Sequence, residues 1–335
     1  MPETKELNRH FYGLDLLRGI SGYGVAVCHF FAFIYQNELL EYLSFIFVEF
    51  FFVLSGFVLV PQLLKVLDNK KNLIIFYQRR WLRTLPLFFI CLIIISLMFD
   101  KFLTLDFFKY FFFLQDFLPN FLDVSYYPVV WSLSIEEFFY LIFPIFLFIT
   151  NKNDFLKKCL YLFLFLIFIK LFIIEYLDPY FIRTGTLLRF DAILLGFLIR
   201  FFYSNLNLKQ SVIFSIITVY SYILLQDFVL LNKDMFVIKF FFIIFLQLLS
   251  VSILILFLNL DFLFKNNFLK KISVIVSKQT YSVYLTHMIF IYALIDLNLD
   301  LFNKFTIYMF LLIAISTISY YFIEKPILKT RPNYL

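Results

Sequence analysis

The chain has 335 residues, of which 63% are hydrophobic and 16% are charged, and its mean hydropathy is +0.90. Soluble domains carry roughly 25% charged residues, so this composition excludes an ordinary soluble fold. The formal net charge of +6 comes from basic residues near the ends of apolar runs. We therefore attribute that charge to membrane topology and expect no nucleic-acid partner.

Continuous apolar runs of about 20 residues recur along the whole sequence, which is the length a helix needs to cross about 30 Å of hydrocarbon. The runs do not alternate polar and apolar residues, so helices are predicted rather than barrel strands. We predict an all-α polytopic membrane protein with one integral-membrane domain over 1–335. About ten transmembrane helices are predicted, at 14–36, 42–65, 84–99, 131–149, 158–177, 186–203, 211–231, 236–258, 274–296 and 304–323.

An even number of spans places both termini on one side. The odd-numbered connections contain few basic residues, namely Lys101, Lys109, Arg183, Lys233 and Lys304. The positive-inside rule then predicts cytoplasmic termini, in a multi-pass protein of the cell inner membrane. The first run is too long for a cleaved signal, so we expect a permanent helix. The stretch 107–118 is too short to span and is predicted to be interfacial or re-entrant.

The first span carries Asp15, Arg18 and His29. A charge at mid-membrane costs roughly 2.5–3.5 kcal/mol, so each is a candidate functional residue. Arg18 and His29 are eleven residues apart, about three turns and about 16 Å, which places Arg18 near the cytoplasm and His29 in the external half. Asp15 can pair with Arg18. An imidazole can take a proton from a hydroxyl, but a lipid-anchoring arginine and a structural histidine remain alternatives.

Arg79, Arg80 and Arg83 cluster where the third span begins. Guanidinium groups bind phosphate bidentately, although lipid headgroups are an alternative partner for this cluster. In the second span, Ser55 stands beside Gly56 and is interpreted as a small residue for close packing.

The fourth span opens with the motif 131–140, in which Glu136 and Glu137 are adjacent. We expect both at roughly the depth of His29. One carboxylate is then expected to orient the imidazole, while the other pairs with Arg189 or bonds to a tryptophan or hydroxyl. A helix-start acidic pair is the alternative. Further site candidates of the same motif are Trp131, Ser134 and Tyr140.

Polar residues also mark the later spans. Arg189 and Asp191 enter the sixth span, and Glu324 follows the tenth. In the ninth span, Tyr281, Tyr284 and His287 fall at i, i+3 and i+6 and form a band that should face the bundle interior. Lys170, isolated on an apolar run, has no assigned partner. The cysteines show no metal-ligand spacing, so neither a metal nor a permanently bound cofactor is expected.

In these residues the sequence resembles the membrane-bound acyltransferase-3 family, which includes bacterial O-acyltransferases of envelope polysaccharides. The resemblance covers most of the chain as an ordered series of motifs. They are Leu14 to Gly19 followed by His29, Phe51 to Phe57, Arg80 and Arg83 with Pro86, Trp131 to Tyr140, Arg189 to Gly196, Ser277 to His287, and Glu324 to Pro326. Thr286 departs from the tryptophan that the family often has before the histidine.

The resemblance implies transfer of an acyl group, commonly acetyl from acetyl-CoA as co-substrate, to a sugar hydroxyl of an envelope glycan or glycolipid. It implies that His29 is the catalytic base, that Arg18 helps hold the donor, and that Arg80 and Arg83 meet its phosphates. Glu136 and Glu137 match the family's acidic site. The expected partners are an acyl-CoA donor, a lipid-linked or polymeric saccharide and membrane lipids. Transport of a glycan, lipid or acyl compound remains the alternative, because permeation pathways also use intramembrane charges.

Overall fold

The computed structural model describes residues 9–151, 154–203 and 206–335, and all regular structure within them is helical. The α-helices, numbered in chain order, are α1 (Tyr12–Tyr35), α2 (Glu38–Asp68), α3 (Asn72–Met98), α4 (Leu105–Phe111), α5 (Trp131–Phe146), α6 (Phe155–Ile173), α7 (Pro179–Thr184), α8 (Phe190–Phe202), α9 (Leu208–Leu231), α10 (Phe236–Asn259), α11 (Asn267–Ile295), α12 (Leu301–Ser319) and α13 (Lys325–Lys329).

Each of the ten predicted runs overlaps a helix, but the predicted start of the third at 84 is corrected, because α3 begins twelve residues earlier at Asn72 and contains Arg79, Arg80 and Arg83. In the described part of the chain, eight helical segments are long and apolar enough to cross a membrane. The other two predicted spans, in α8 and α11, do not meet that standard because α8 has only 13 residues and α11 carries many polar side chains. Both are largely enclosed by other helices, so they do not need an apolar outer face. The predicted all-α polytopic membrane fold is confirmed.

The α1 helix lies in the middle of the bundle, between α2 and α11. Small residues stand one turn apart on its α11 face, namely Gly19, which meets Val276, and Gly22, which meets Thr280. A side chain at Gly22 would lie 2.6 Å from Cγ2 of Thr280, so only glycine permits this approach. Arg18 contacts Ser277, and His29 contacts His287 further along. The two helices therefore run parallel, in register, at close range.

The α2 and α8 helices also meet almost backbone to backbone. A Cβ atom at Gly56 would overlap the carbonyl group of Ile193. The predicted close-packing position is therefore Gly56. Its neighbour Ser55 instead turns its hydroxyl toward α5, where it donates to Glu136. The interpretation of Ser55 as a packing residue is corrected.

One end of the bundle, the basic end, holds both described termini together with Arg18, Arg79 and Arg331. Arg79 donates to the carbonyl oxygen of Pro332 at 2.7 Å, which ties the start of α3 to the residues after α13. Arg9 pairs with Asp261, in the connection between α10 and α11, at 3.0 Å. The two termini therefore lie on one side, as an even number of spans requires.

The connection between α3 and α5 contains α4, which has seven residues and a length of about 10 Å. That length is far below what a span needs, so the stretch 107–118 does not cross the bundle. The chain after α4 instead enters the bundle from the end opposite the basic end. Gln115 is 3% exposed and Tyr127 is fully buried, and the Tyr127 hydroxyl donates to the Leu285 carbonyl at 2.7 Å.

The buried connection between α4 and α5 determines how deep in the bundle α5 begins. Since Tyr127 is already buried, Trp131 at the start of α5 lies inside the bundle. Glu136 lies five residues further on, about 7 Å closer to the basic end. It lines the same cavity as Arg18. The expectation that Glu136 matches the depth of His29 is therefore corrected, because α5 begins inside the bundle rather than at its surface.

Candidate active site

A cavity of about 280 Å³ opens at the basic end between α1, α2, α3, α5 and α11. Its polar and charged lining comprises Arg18, Ser55, Gln62, Arg79, Arg80, Arg83, Thr84, Ser132, Glu136, Tyr140, Thr280, Tyr281, Tyr284 and Arg331. A cavity of similar size, about 270 Å³, lies between α9 and α10, but its described lining includes no charged side chain. The first cavity is therefore the candidate active site.

Arginines dominate the charge of this cavity. Five of them line it, Arg18, Arg79, Arg80, Arg83 and Arg331, against a single glutamate. Arg80 places its guanidinium 5.0 Å from the ring centre of Tyr140. Its Nε and Nη2 are buried and have no hydrogen-bond partner among the described residues. These two atoms form one edge of the guanidinium, the edge that binds a phosphate bidentately.

Arg18 is held on its own helix and by α11. The carboxylate of Asp15 lies 3.8 Å from its guanidinium, and Ser277 contacts both, donating to Asp15 at 2.9 Å. The predicted pair of Asp15 and Arg18 is confirmed. The side chain of Arg18 is fixed in position while its charge still faces the cavity.

Glu136 is the only carboxylate that lines the cavity among the described residues. One of its oxygens accepts from the Ser55 hydroxyl at 2.5 Å and the other from the Tyr140 hydroxyl at 2.9 Å. The alternative of a hydroxyl partner is thus correct for this residue. Glu137 is buried outside the lining, where it interacts with Thr84.

The two histidines of the membrane region form a pair. Nδ1 of His29 lies 3.0 Å from Nε2 of His287, and the ring planes differ by only 18°. His29 is thus oriented by a second imidazole. The expected carboxylate partner is corrected, since the described contacts pair Glu136 with hydroxyls and His29 with His287.

The proton positions follow from a backbone carbonyl. Nδ1 of His287 lies 3.1 Å from the carbonyl oxygen of Val283, which can only accept, so this nitrogen carries the proton. In the neutral ring, Nε2 of His287 is then an acceptor, and Nδ1 of His29 must be the donor. Nε2 of His29 is left with its lone pair free to accept a proton.

Tyr284 connects the cavity to this histidine pair. It lines the cavity, and its ring centre lies 6.4 Å from that of His287, one turn further along α11. Its hydroxyl donates to the Val129 carbonyl at 2.7 Å and lies 3.0 Å from the Ser132 hydroxyl. Tyr281 also lines the cavity and donates to the Thr84 carbonyl. The predicted band of α11 therefore runs from the cavity wall to the histidines.

Several predicted site residues lie elsewhere. Trp131 packs against Phe52, and Ser134 bonds to Gln115 of the entering connection. Arg189 is 1% exposed and pairs with Glu49 at 2.5 Å, so the expected pairing of Arg189 with an α5 carboxylate is corrected.

Asp191, which is fully buried, accepts from Lys170 at 2.6 Å and from Gln247 at 2.7 Å. Lys170 thereby gains the partner that the sequence did not supply. Glu324 is also buried, with one oxygen unpartnered among the described residues, and lies outside the cavity lining. These groups tie helices together around the site.

Sequence reasoning missed Arg331 as a lining residue and Glu49 as the partner of Arg189. Arg331 follows the last helix, where a basic residue is explained by topology alone. Glu49 stands among phenylalanines on α2, where its charge was the available signal.

Comparison with known proteins agrees with this geometry. A family model described as an acyltransferase domain, Acyl_transf_3, matches residues 11–324. The chain belongs to this acyltransferase-3 family and is a multi-pass membrane protein. Of the family motifs, those of α1, α2, α3, α5 and α11 contribute residues to the arginine-lined cavity or to the histidine pair beside it.

Two relatives come from Staphylococcus aureus. O-acetyltransferase OatA of strain NCTC 8325 / PS 47 is 26% identical over 96% of this chain and 58% of its own length. A protein of strain COL named "Putative O-acetyltransferase SACOL0978" is 27% identical over 98% of this chain and 60% of its own. The chain thus spans less than two thirds of these relatives. No solved structure matches it.

Proposed function

We propose that this protein is an O-acyltransferase that moves an acyl group, namely acetyl, from acyl-CoA to a sugar hydroxyl of a cell-envelope glycan or glycolipid. The observation that carries the proposal is one continuous arrangement. Five arginines line a cavity at the basic end, and its wall reaches Tyr284, next to the pair of His29 and His287. The protein lies in the inner membrane with the basic end toward the cytoplasm.

The arginines support a phosphorylated donor. Unpartnered guanidinium edges buried beside one another are unfavourable unless an anion neutralises them, and phosphate is the anion that their geometry fits best. Acyl-CoA is made in the cytoplasm and carries its phosphates at the end remote from the thioester. Arg80 and Arg83 bind those phosphates, and Arg18 contacts the donor further in.

The distance between the two halves of the site supports the same donor. His29 lies eleven residues beyond Arg18 on one continuous helix, about 16 Å toward the opposite end. A pantetheine arm is long enough to cross that part of the bundle. It brings the thioester past Tyr284 to the histidines while the phosphates stay with the arginines.

The transfer itself needs one base. The hydroxyl oxygen of the acceptor sugar attacks the thioester carbonyl carbon, and its proton passes to Nε2 of His29. The C–S bond breaks as the ester C–O bond is completed. His29 then returns the proton to the departing CoA sulfur, which leaves as a thiol. His287 stabilises the protonated imidazole by accepting from Nδ1 throughout.

The named activity of the relatives supports the ester product. Both relatives are named O-acetyltransferases, which favours acetyl as the acyl group and a hydroxyl as the acceptor. His29 lies in the half of α1 away from the basic end and is partly exposed. An acceptor on the outer side of the membrane can approach it without passing the donor phosphates.

The test is O-acylation of envelope glycans, measured by mass spectrometry in cells that express wild type or His29→Ala at matched membrane levels. Cys28→Ala is the control, because Cys28 directly precedes His29 and its side chain makes no hydrogen bond or ion pair among the described residues. We expect a discrete acyl mass with wild type and Cys28→Ala and its loss with His29→Ala. Acylation equal to wild type in His29→Ala would remove His29 as the base. No acyl mass from any variant would favour the alternative of transport.

A further inference from the structure

The residues after α13 cross the mouth of the cavity. Tyr334 contacts Gln62 of α2 through its hydroxyl at 3.3 Å, and the backbone amide of Leu335 donates to the side chain of Asn72 at 2.8 Å. Together with the bond from Arg79 to Pro332, these contacts hold the segment 330–335 on both α2 and α3. The segment forms part of the cavity wall.

Arg331 is the side chain that this segment contributes to the cavity. Its Nε and Nη2 are buried and have no hydrogen-bond partner among the described residues, as in Arg80. The cavity therefore holds two guanidinium edges of the same kind, one on α3 and one on the segment. Each edge fits two oxygens of one phosphate group.

The surroundings of Arg331 make an anion there favourable. Burial, together with the charges of Arg83, Arg80 and Arg79, lowers the pKa of Arg331 to about 9. The group remains charged at neutral pH, close to three like charges. A phosphomonoester carries about two negative charges at that pH and would relieve this repulsion.

We propose that Arg331 binds the terminal phosphomonoester of the donor, the 3′-phosphate of CoA, and so makes the site distinguish CoA from 3′-dephospho-CoA. This inference rests on the acyl-CoA donor proposed above. The position of Arg331 supports this assignment. The thioester must lie toward His29, and the 3′-phosphate is at the opposite end of the CoA molecule. Arg331, on the segment across the mouth, is the arginine suited to that end, whereas Arg80 of α3 is suited to the pyrophosphate.

The experiment is a binding titration of full-length protein in lipid nanodiscs with CoA and with 3′-dephospho-CoA. Wild type should bind CoA at least about tenfold more tightly, the effect of one charge-assisted contact. Arg331→Gln should lose that preference by weakening CoA alone. Arg80→Gln should weaken both ligands.

Lys329→Gln is the matched control, since Lys329 is an exposed basic residue two positions away and outside the cavity lining. It should keep the preference of wild type. Arg331→Lys keeps the charge but not the bidentate edge and should keep only part of the preference. Thermal unfolding without ligand checks folding, and Arg331→Gln should unfold no earlier than wild type because a repelling charge is removed.

The outcomes separate the two proposals. If wild type binds neither ligand, the acyl-CoA donor fails and this inference falls with it. If wild type prefers CoA and Arg331→Gln retains the full preference, the donor stands and the role of Arg331 is overturned. Equal binding of both ligands by wild type also overturns that role while leaving the donor in place.

Discussion

Nδ1 of His29 donates to Nε2 of His287 across the interface of α1 and α11, at 3.0 Å. The Val283 carbonyl fixes the direction of this bond, because it requires a proton on the other nitrogen of His287. The pair thus leaves a basic nitrogen on His29 and supplies a neutral acceptor that stabilises the ring once it is protonated. In the Ser-His-Asp arrangement a carboxylate accepts the corresponding hydrogen bond, whereas here an imidazole accepts it.

Replacing His287 by leucine should lower the rate constant of acyl transfer by about 10- to 100-fold, while His29→Ala should lower it by about 10²–10⁴-fold. His287→Leu removes the acceptor that sets the tautomer of His29 but leaves the base in place. The KM for the acyl donor should change little, because His287 lies outside the arginine-lined cavity. Steady-state kinetics of the purified protein separate kcat from KM.

His287→Gln is the informative companion variant, since its amide oxygen can accept the same hydrogen bond. It should recover part of the activity lost in His287→Leu. If both variants lost equal activity, or if KM rose while kcat was unchanged, His287 would not act by orienting His29.

The pair of Arg189 and Glu49 is expected to matter for stability rather than for chemistry. Both side chains are nearly fully buried, and neither lines the candidate active site. Glu49→Ala leaves a buried guanidinium uncompensated and should cost about 3–5 kcal/mol of stability. Thermal unfolding in nanodiscs measures the loss.

The double variant Glu49→Leu with Arg189→Leu is the control, because it removes both charges together. It should be markedly more stable than Glu49→Ala, and its activity per folded molecule should approach that of wild type. A double variant as unstable as Glu49→Ala would show that the ion pair is not the relevant interaction.

The helices were predictable because a membrane imposes one length and one composition on each span. The family motifs also identified Arg18, His29 and the α3 arginines, since charges in a membrane are rare enough to single out. The partners were not predictable. His29 and His287 are 258 positions apart, and only the packing of glycines on α1 against α11 brings them together.

The depth of a residue within the membrane was the second feature that the sequence could not predict. Hydropathy locates a helix along the sequence but does not show that α5 begins inside the bundle, where the buried connection through Tyr127 delivers it. Glu136 was therefore expected beside His29 and instead lines the cavity with Arg18. Arg331 could not be predicted for a related reason. A basic residue after the last span is explained by the positive-inside rule, and only the structure shows that Arg331 lies in the cavity wall.

Asp116, in the connection before α5, should make stability depend on pH. Burial raises the pKa of Asp116 to about 6, against the opposing effects of the Thr184 hydroxyl and the Arg183 guanidinium. The unfolded chain ionises near its ordinary value of about 4, so the folded state holds the proton more tightly between about pH 4 and 6. This residue therefore costs stability as pH rises through that window, and the cost is complete above pH 6.

Asp116→Asn should remove that cost, about 3 kcal/mol at pH 7.5, and have little effect at pH 4. The measurement is thermal unfolding of both proteins at the two pH values. A stabilisation that is the same at both values would show that the carboxyl does not change its ionisation on folding.

The contact between Gly22 and Thr280 sets the spacing on which the histidine pair depends. A Cβ atom at Gly22 would lie 2.6 Å from Cγ2 of Thr280 but 3.4 Å from its Cβ. Gly22→Ala should therefore push α1 away from α11, cost about 1–3 kcal/mol of stability and reduce acyl transfer by weakening the bond between His29 and His287. Thermal unfolding and the rate of acyl transfer report the two effects.

Thr280→Ser removes the clashing methyl group and keeps the hydroxyl that donates to the Val276 carbonyl at 2.8 Å. The double variant Gly22→Ala with Thr280→Ser should consequently recover most of both losses when compared with Thr280→Ser alone. Recovery of stability without activity would mean that α1 and α11 can pack together again without restoring the histidine pair. Failure to recover either would show that the glycine is needed for something other than space, and the proposed link from packing to proton transfer would be wrong.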